Sequence, residues 1–366
     1  MPAVAPPCRT DILIYAELLT NIRQVTIKAS LPTPADHTTT AEILGDGHKF
    51  RISHNGTSGE AVLPATAPVK GMLPLSHKGS SELTWRLPLK PARVPERQFL
   101  PENQPLPWPA SVIKPGSPIS CRAYHDTPED GDLQHRGYGA ASAITAQPGV
   151  GFVDITSFLF AESDCDSIKF SSSNSPRQFN GSQDAIQATK EERFLTISCS
   201  NCTADVGIFS VLAYTVAFYK WQISCEISSV QKSPSSSDCL VATLLSTIAR
   251  SGSSKSVVMP RTSALVDKTM RHLQLWVINN NVIFTSNQNS TPTSAVKVLF
   301  KEIGEKEALE LVESLSNDVQ DVNFPAQAIE AARKTLTFSK YMLPLSERSF
   351  QEWQVGLLER WVPQLA

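Results

Sequence analysis

Apolar and polar positions alternate most regularly near the C-terminal end of the printed sequence. Apolar side chains occupy every second position from 273 to 277, and this period of two predicts a strand with one apolar face. Three consecutive asparagines, 279–281, predict a hairpin turn, because asparagine tolerates the left-handed backbone of a tight reversal. We expect residues 282–286 to return antiparallel, and a third strand around 296–300 to complete a meander.

Two helices and a last strand are predicted to follow the meander. Apolar residues at three- and four-residue spacing predict a first helix over residues 305–315. A second helix is expected to begin at Pro325, which suits a first helical turn, and to end near Tyr341. Alternation over 353–357 predicts a strand that returns to the meander, so the unit at 271–361 has the predicted order β-β-β-α-α-β.

The N-terminal part of the chain has a different pattern from the C-terminal unit. Short extended segments separated by Gly, Pro, Asn and Ser predict antiparallel strands there. The proline-dense tract 88–118 predicts an extended connector, because proline fixes φ and lacks a backbone donor. We therefore expect an α+β protein, with a β-rich N-terminal region at 1–104 and a mixed region at 105–366. Within the mixed region, the Ser-, Asn- and Gln-rich stretch 164–189 predicts a loop.

Charge and composition narrow the classes of partner. The chain has 33 basic and 35 acidic residues and no run of Lys or Arg, so direct nucleic-acid binding is not expected. No stretch reaches the roughly 20 apolar residues of a membrane span, so no membrane partner is expected either. Seven cysteines, an odd number, fit a reducing compartment better than a disulfide framework. We expect the protein in the cytoplasm, the nucleus or both.

Several sequence blocks between about residues 100 and 361 carry a resemblance to a known family. The blocks are Gln147-Pro148-Gly149-Val150-Gly151-Phe152-Val153-Asp154, Ser198-Cys199-Ser200-Asn201-Cys202, Phe218-Tyr219-Lys220-Trp221-Gln222, His272-Leu273-Gln274-Leu275-Trp276-Val277, Ala295-Val296-Lys297-Val298-Leu299-Phe300-Lys301 and the run from Arg348 to Arg360. Together they resemble the HECT-like ubiquitin-conjugating-enzyme-binding family. We expect this chain to be a fungal member of that family. The resemblance implies a ubiquitin-protein ligase whose partners are a ubiquitin-conjugating enzyme and ubiquitin.

The spaced pair Cys199-x-x-Cys202 is the clearest sequence sign of a metal site. Two thiolates at this spacing can bind one face of a tetrahedral zinc ion, which needs two further ligands. The resembled family has an upstream Cys-x-x-Cys pair and a Trp-His-Cys-His block, but this chain keeps one upstream cysteine, Cys121, and has Asp126 to Gly137 where the block would lie. A zinc site of Cys121, His125, Cys199 and Cys202 is one hypothesis; small buried cysteines or free thiols are the other.

A HECT-type ligase also needs a thiolate that accepts ubiquitin, and the chain offers one candidate for it. Cys239 lies in the first turn of a helix that is predicted to begin at Asp238 and to stop at Gly252. A helix N-terminus lowers a thiol pKa, which favours a nucleophile. The adjacent Leu240 and Val241 instead favour a packed core position for this cysteine.

Tryptophan and arginine residues near the C-terminal end are candidates for partner binding. Arg348, Trp353, Arg360 and Trp361 are of the types that anchor protein interfaces, so this edge could bind a conjugating enzyme. The alternative is that the two tryptophans close the core and the two arginines form surface pairs.

Two functions therefore remain open at the level of sequence. The first is a ubiquitin-protein ligase that promotes ubiquitin transfer from a conjugating enzyme to substrate proteins. The second is a non-catalytic adaptor or scaffold, for which the resembled family's link to the pre-mRNA 3′-end cleavage machinery supplies one candidate partner. The absence of a convincing nucleophile favours the adaptor.

Overall fold

A computed structural model provides the architecture and describes most of the chain. The described residues are 11–75, 79–89, 105–113, 116–117, 119–123, 132–134, 145–172, 175–188, 192–225, 233–260, 271–314 and 318–362. They form two compact units. The first unit draws on 1–99, 275–301 and 333–360, and the second on 100–274, 302–332 and 361–366. The first unit therefore combines N-terminal with C-terminal segments. The predicted boundary near residue 105, between the N-terminal region and the mixed region, stays a prediction.

Strands are more numerous than helices, as expected for this α+β protein, and the N-terminal region is β-rich as predicted. The strands, in chain order, are β1 Leu13–Leu19, β2 Gln24–Ser30, β3 Thr40–Ile43, β4 Lys49–His54, β5 Thr57–Val62, β6 Gly71–Met72, β7 Glu82–Pro88, β8 Ile119–Cys121, β9 Asp132–Gln134, β10 Val150–Val153, β11 Ser157–Ala161, β12 Ile168–Ser172, β13 Ser175–Phe179, β14 Phe194–Cys199, β15 Asp205–Ser210, β16 Thr215–Tyr219, β17 Ile223–Cys225, β18 Lys255–Pro260, β19 His272–Ser286, β20 Thr293–Ile303, β21 Val319–Phe324, β22 Ser349–Phe350 and β23 Trp353–Glu359. The helices are α1 Ser182–Ala188, α2 Ser236–Ser251, α3 Glu305–Glu313 and α4 Ala326–Ser339. Among the described helices, none is long and apolar enough to cross a membrane.

The first unit is built on a sheet in which four C-terminal strands lie side by side with three N-terminal strands, and the two sets meet where β19 pairs with β1. Its strand order is β22-β23-β20-β19-β1-β2-β7. Strand β1 is central and pairs antiparallel with both neighbours, so Ala16 lies between Ile27 on β2 and Thr285 on β19. A second sheet, β5-β4-β3-β6, packs its alternate apolar side chains into the same core as β1, β2 and β7. Phe50 and Trp85, whose ring centroids are 5.1 Å apart, join the two sheets in that core.

The predicted hairpin at residues 279–281 is wrong. Strand β19 is continuous through the three asparagines and pairs with β1 on their far side, with Leu19 opposite Val282. Long-range hydrogen bonds hold the side chain of Asn281. Its Nδ2 donates to Thr20 Oγ1 at 2.9 Å, and its Oδ1 accepts from Arg360 Nη1 at 2.8 Å. These tertiary partners outweigh the local preference of asparagine for a turn.

The predicted order β-β-β-α-α-β for the C-terminal unit is also wrong, although its two helices and its last strand are confirmed. The observed order from β19 onward is β-β-α-β-α-β-β. The unpredicted strand β21 lies between α3 and α4 and pairs parallel with β18, with Val322 opposite Val258. The last strand, β23, pairs antiparallel with β20 as expected.

Helix α4 packs against β23 at a glycine. The position where a Cβ of Gly356 would stand is 2.8 Å from Leu336 Cδ2, so the helix approaches the strand closely there. Just past this contact, the hydroxyl of Ser339 accepts a hydrogen bond of 2.8 Å from the Leu357 backbone N–H and donates one of 2.9 Å to the Leu336 carbonyl. Ser339 thus ties the end of the helix to the strand.

A buried network of charges crosses the first unit. Lys297 Nζ is 3.0 Å from Glu17 Oε2 and 3.7 Å from Glu347 Oε2, and Tyr15 donates its hydroxyl proton to Glu17 at 2.8 Å. Lys28 forms the other ion pair of Glu347. Both Glu17 and Lys297 are buried, so each charge depends on its partners for the stabilisation that water would otherwise give.

This network predicts an acid-sensitive step in stability. Burial acts to raise the pKa of Glu347, but the hydrogen bond and charge of Lys28, together with Lys297, outweigh it and hold this pKa below its usual range. A lowered folded-state pKa contributes stability that is present above the unfolded value of about 4.3 and is lost as the pH falls. Unfolding in urea between about pH 5.5 and pH 3 should therefore show a steeper loss of stability in wild type than in Glu347→Gln. Glu313→Gln, at an exposed position on α3, serves as the control and should follow wild type. Equal slopes for wild type and Glu347→Gln would contradict the prediction.

The second unit contains an eight-stranded sheet of order β13-β12-β14-β15-β16-β11-β10-β9. The stretch 164–189, predicted as a loop, instead supplies strands β12 and β13 and helix α1. Three of its apolar side chains, Phe170, Phe179 and Ala185, are buried in one core with residues of β14, β15 and β16, and Ile168 and Ile186 pack partly buried against that core. The polar residues between them include exposed ones such as Gln178 and Asn180, and buried ones, Ser172 and Ser182, so composition alone indicated a loop.

Helix α2 of the second unit ends where the sequence predicts but begins earlier. Ser235 is the N-cap, and its side chain accepts a hydrogen bond from the Asp238 N–H while Asp238 accepts one from the Ser235 N–H. Asp238 is therefore the third helical residue of a capping box rather than the cap. Gly252, with φ 76°, is the left-handed C-cap as predicted.

Candidate functional site

Cys199 and Cys202 lie in the tight turn that joins β14 to β15. The Cys199 N–H donates to the Ala204 carbonyl at 2.9 Å, and the Thr203 N–H donates back to the Cys199 carbonyl at 2.9 Å. Thr203 has φ 59°, a left-handed conformation that the reversal requires. The turn thereby directs the thiols of both cysteines to the same place.

Cys121 reaches this turn from a distant part of the chain. It ends strand β8, which pairs antiparallel with β17 so that Cys121 lies opposite Ile223. Its Sγ is 3.6 Å from Cys202 Sγ, and the thiols of Cys121, Cys199 and Cys202 all lie within 4.8 Å of one another. In the part of the chain that the structure describes, this three-thiol cluster is the group that could hold a metal ion.

Backbone amides and burial set the ionisation of the cluster. Burial acts to raise the pKa of Cys199, but hydrogen bonds from the Cys202 and Asn201 amides and from the neighbouring thiols outweigh it and lower this pKa. The pKa of Cys121 is raised to about 11, mainly by burial, although the Ala123 amide also hydrogen-bonds to its sulfur. Amides two and three residues after a cysteine thus point at sulfur on both sides of the cluster, which prepares the site for thiolate charge.

One sulfur–sulfur distance in the cluster fits tetrahedral sulfur ligation. Zinc–sulfur bonds of about 2.3 Å place two thiolates roughly 3.8 Å apart, close to the observed separation between Cys121 and Cys202. Three of the four predicted ligands are therefore brought together. His125, the fourth, lies outside the described residues.

The remaining described cysteines have surroundings unlike those of a nucleophile. Cys239 is fully buried in the first turn of α2, and burial raises the pKa of its thiol to about 12 despite an opposing effect of Lys220. Burial likewise raises the pKa of Cys165, and Cys225 is partly buried on β17. Cys8 lies outside the described residues. The catalytic assignment of Cys239 stays a prediction, and its burial argues for the core position that its apolar neighbours favour.

A buried lysine that sequence reasoning missed holds the proline-rich segment in the second unit. Lys220, 1 % exposed, donates from Nζ to the Pro107 carbonyl at 2.8 Å and to the Trp108 carbonyl at 3.2 Å. The Nζ also lies 5.3 Å from the Phe158 ring centroid, a cation–π contact. Burial lowers the pKa of Lys220 to about 8. The only sequence signal for this role is one lysine within an aromatic run, Phe218 to Trp221.

Arg122, the residue after Cys121, joins further segments to the same region. Its Nη2 donates to the carbonyls of Lys220 at 3.3 Å, Ile223 at 3.2 Å and Pro234 at 3.4 Å. Burial lowers the pKa of Arg122, but arginine remains protonated at neutral pH. Arg122 therefore connects the strand that carries Cys121 to β16, β17 and the segment before α2.

Two of the four predicted partner-binding residues, Arg348 and Trp353, lie at partly exposed positions of the first unit. Trp353 packs edge to face on Trp276, with the ring centroids 6.3 Å apart. Lys301 Nζ lies 5.1 Å from the Trp353 ring centroid. Arg348 donates from Nε to the Leu343 carbonyl at 2.9 Å and from Nη2 to the Tyr341 carbonyl at 3.0 Å. Arg348 therefore holds a loop in place while one face of its guanidinium covers Tyr341.

The other two predicted partner-binding residues make contacts within the protein. Arg360 is partly buried and donates a hydrogen bond to Asn281, and burial lowers its pKa. Trp361 is buried in a core cluster with Trp108 and Phe158 of the second unit. Trp361 thus packs in a core, which agrees with the alternative that the tryptophans close the core. Partner binding stays a prediction at all four positions.

The fold and the site define an α+β protein with a three-thiol cluster of metal-binding geometry. Comparison with protein-family models matches residues 17–123 and 124–355 to the HECT-like ubiquitin-conjugating enzyme (E2)-binding family. The match covers most of the chain, and the chain therefore belongs to this family, as its sequence blocks indicated. No significant match was found among curated proteins or among solved structures. A fungal origin and the loss of the family's Cys/His block stay predictions.

Proposed function

We propose that this protein binds a ubiquitin-conjugating enzyme and promotes the transfer of ubiquitin from that enzyme to substrate proteins. The observation that carries the proposal is the family match over residues 17–123 and 124–355, because the family is described by its binding to such enzymes. The proposal makes ubiquitin and a conjugating enzyme its partners. A cytoplasmic or nuclear location stays a prediction.

The described thiols favour transfer without a thioester on this protein. A covalent route needs an exposed thiolate to receive ubiquitin before a lysine of the substrate attacks. None of the six described cysteines is fully exposed: Cys199 and Cys239 are buried and the other four are partly buried. The lowered pKa of Cys199 belongs to the three-thiol cluster. We therefore infer that the protein positions the charged conjugating enzyme so that the lysine attacks its thioester directly.

A single-turnover chase tests this proposal. The purified protein is mixed with ubiquitin-charged conjugating enzymes from a broad panel, and loss of charge is followed on non-reducing gels. Faster discharge without a thiol-sensitive ubiquitin adduct on the protein is the expected result. A thiol-sensitive adduct would instead establish a thioester route, and single substitutions to alanine at Cys8, Cys165, Cys225 and Cys239, followed by the three cluster cysteines, would then identify the cysteine.

The second candidate is a non-catalytic adaptor or scaffold, and the burial of the described thiols is the observation that favours it. An adaptor should form a stable complex with a conjugating enzyme yet leave its discharge rate unchanged across the whole panel. A pre-mRNA 3′-end processing factor is one candidate for the second partner of such a scaffold. Binding to that factor in a purified two-component assay, without any conjugating enzyme, would support this version.

We further propose that the three-thiol cluster binds zinc. Cys121, Cys199 and Cys202 would supply thiolates, and a residue outside the described part of the chain, with His125 the first candidate, would supply the fourth ligand. Zinc would then link the β14–β15 turn to the short β8–β17 sheet, so its role would be structural.

The zinc proposal predicts the metal content of purified variants. Wild type is expected to contain about one zinc per chain, whereas Cys202→Ser should lose most of it, because two thiols hold zinc much more weakly than three. The measurement is elemental analysis by mass spectrometry, followed by thermal unfolding with and without a chelator. Cys225→Ser, outside the cluster, is the matched control and should retain zinc. Metal-free wild type after expression with added zinc would refute the proposal.

A further inference from the structure

Exposed apolar side chains are concentrated in one short segment of the first unit. Of the twelve large apolar side chains that are exposed among the described residues, four lie between positions 338 and 350. They are Phe338, 68 % exposed, Tyr341, 50 %, Leu345, 55 %, and Phe350, 53 %. Single exposed apolar residues are ordinary, but a concentration of aromatic ones is typical of an interaction site. We call this segment the 338–350 surface.

The backbone of the 338–350 surface is held in place by its own contacts. Arg348 donates to the carbonyls of Tyr341 and Leu343, and its backbone N–H donates to the Leu345 carbonyl at 3.3 Å. Leu343 is fully buried, and the Val355 N–H donates to the Arg348 carbonyl at 2.9 Å, which anchors the segment to β23. The exposed rings are therefore presented on an ordered frame, which reduces the entropy lost on binding.

The charge that accompanies these rings is positive. Lys340 Nζ lies 5.6 Å and the Arg348 guanidinium 5.3 Å from the Tyr341 ring centroid. The one acidic residue of the segment, Glu347, forms ion pairs with Lys28 and Lys297. Two acids lie close by on other elements: Glu82 accepts a hydrogen bond from Ser346 at 3.4 Å, and the exposed Glu352 follows β22. The charged groups that lie against the Tyr341 ring are the two cations, Lys340 and Arg348. The aromatic centre of the surface therefore has positive charge beside it.

We propose that the 338–350 surface is where the ubiquitin-conjugating enzyme docks, through an apolar side chain of that enzyme flanked by carboxylates. This inference rests on the proposed function and assigns it a location. The apolar partner side chain would pack on Phe338 and Leu345, and the carboxylates would pair with Lys340 and the outer face of Arg348. Tyr341, whose ring centroid lies 5.6 Å and 5.3 Å from the two cations, would lie at the centre of the contact.

Affinity measurements with purified conjugating enzymes test this location. The double variant F338S/L345S removes two side chains that are mostly exposed, and we expect the Kd for the best-binding enzyme to rise by about tenfold or more. Lys340→Glu should raise the Kd more at low salt than at high salt, because it reverses a charge at the contact and salt screens that charge. The control is Leu212→Ser, which removes a 77 % exposed leucine from the second unit and should leave the Kd unchanged. Thermal unfolding of each variant establishes that the fold is retained.

The outcomes separate the inference from the function on which it rests. If wild type binds no conjugating enzyme in the panel, the proposed function fails. If wild type binds but F338S/L345S binds equally well, the function stands and the location is wrong. A concentration-dependent dimer of wild type that F338S/L345S abolishes, with unchanged enzyme binding, would assign the surface to self-association and overturn the inference. Weakened binding in F338S/L345S and Lys340→Glu but not in Leu212→Ser supports it.

Discussion

Substitution of Gly207 by alanine is expected to destabilise the second unit by about 3 kcal/mol or more. Gly207 lies inside β15, opposite Phe218 on β16. A Cβ at this position would lie 2.1 Å from the Ala217 carbonyl oxygen and 3.0 Å from the Phe218 Cα. Both are backbone atoms of β16, which is itself paired on its other side with β11, so neither can move without breaking the sheet.

Chemical denaturation followed by circular dichroism measures this effect. The control is Gly181→Ala in the same unit, where a Cβ would meet no atom within 4 Å. That variant should unfold near the wild-type denaturant concentration, since added bulk has room there. A Gly207→Ala protein as stable as Gly181→Ala would show that β15 and β16 can separate locally, and the predicted role of Gly207 would be wrong.

Removal of the Lys297 charge should destabilise the first unit by about 3–5 kcal/mol. In Lys297→Ala the Glu17 carboxylate stays buried and loses its 3.0 Å partner, so its desolvation is no longer offset. Tyr15 still donates to Glu17, but one neutral hydrogen bond does not replace a buried cation. Urea unfolding of wild type and variant at pH 7 gives the difference in free energy.

A double variant tests whether the unpaired carboxylate is the cause. Glu17→Leu together with Lys297→Met replaces both charges by apolar groups of similar volume and should recover part of the stability that Lys297→Ala loses, because the Tyr15 hydroxyl then lacks its acceptor. Lys306→Ala is the surface comparison, because its ion pair with Glu310 is almost fully exposed, and it should have little effect. If the double variant is as unstable as Lys297→Ala, the unpaired Glu17 carboxylate is not the cause and the prediction is wrong.

The elements that sequence predicted well are those that local signals specify. Helix α4 begins next to Pro325, and β23 follows from the alternation of Trp353, Val355 and Leu357. Gly252 ends α2 because a left-handed residue without a Cβ suits a C-cap. Each signal lies within a few residues of the feature that it determines.

The elements that sequence reasoning missed depend on partners far away in the chain. The 279–281 asparagines stay extended because Thr20 and Arg360 bind Asn281 across separations of 261 and 79 residues. Strand β21 carries Gln320, Asp321 and Asn323, which have low strand propensity, and its parallel pairing with β18 provides the backbone bonds. Such pairings leave no local pattern.

The candidate site was predicted only in part for the same reason. The spacing of Cys199 and Cys202 indicates a shared ligand, but Cys121 is 81 residues before Cys202 and was connected to it by family resemblance alone. Lys220 and Arg122 were not predicted, because lysine and arginine usually mark surfaces and both are drawn inside here by backbone carbonyls. The burial of Trp361 was one of two open alternatives until its neighbours in the core were known.

The hydrogen bond from the Leu357 N–H to Ser339 has a consequence for how this sheet meets other chains. Strand β22 pairs with β23 only at Ser349 and Phe350, so the rest of β23 would otherwise present outward-facing amides to solvent. Unpaired amides along a strand form a template onto which a foreign strand can align, and this is a common start of aggregation. The Ser339 hydroxyl occupies the Leu357 amide. An incoming strand would have to displace the end of α4 first, and the protein is protected against that mode of association.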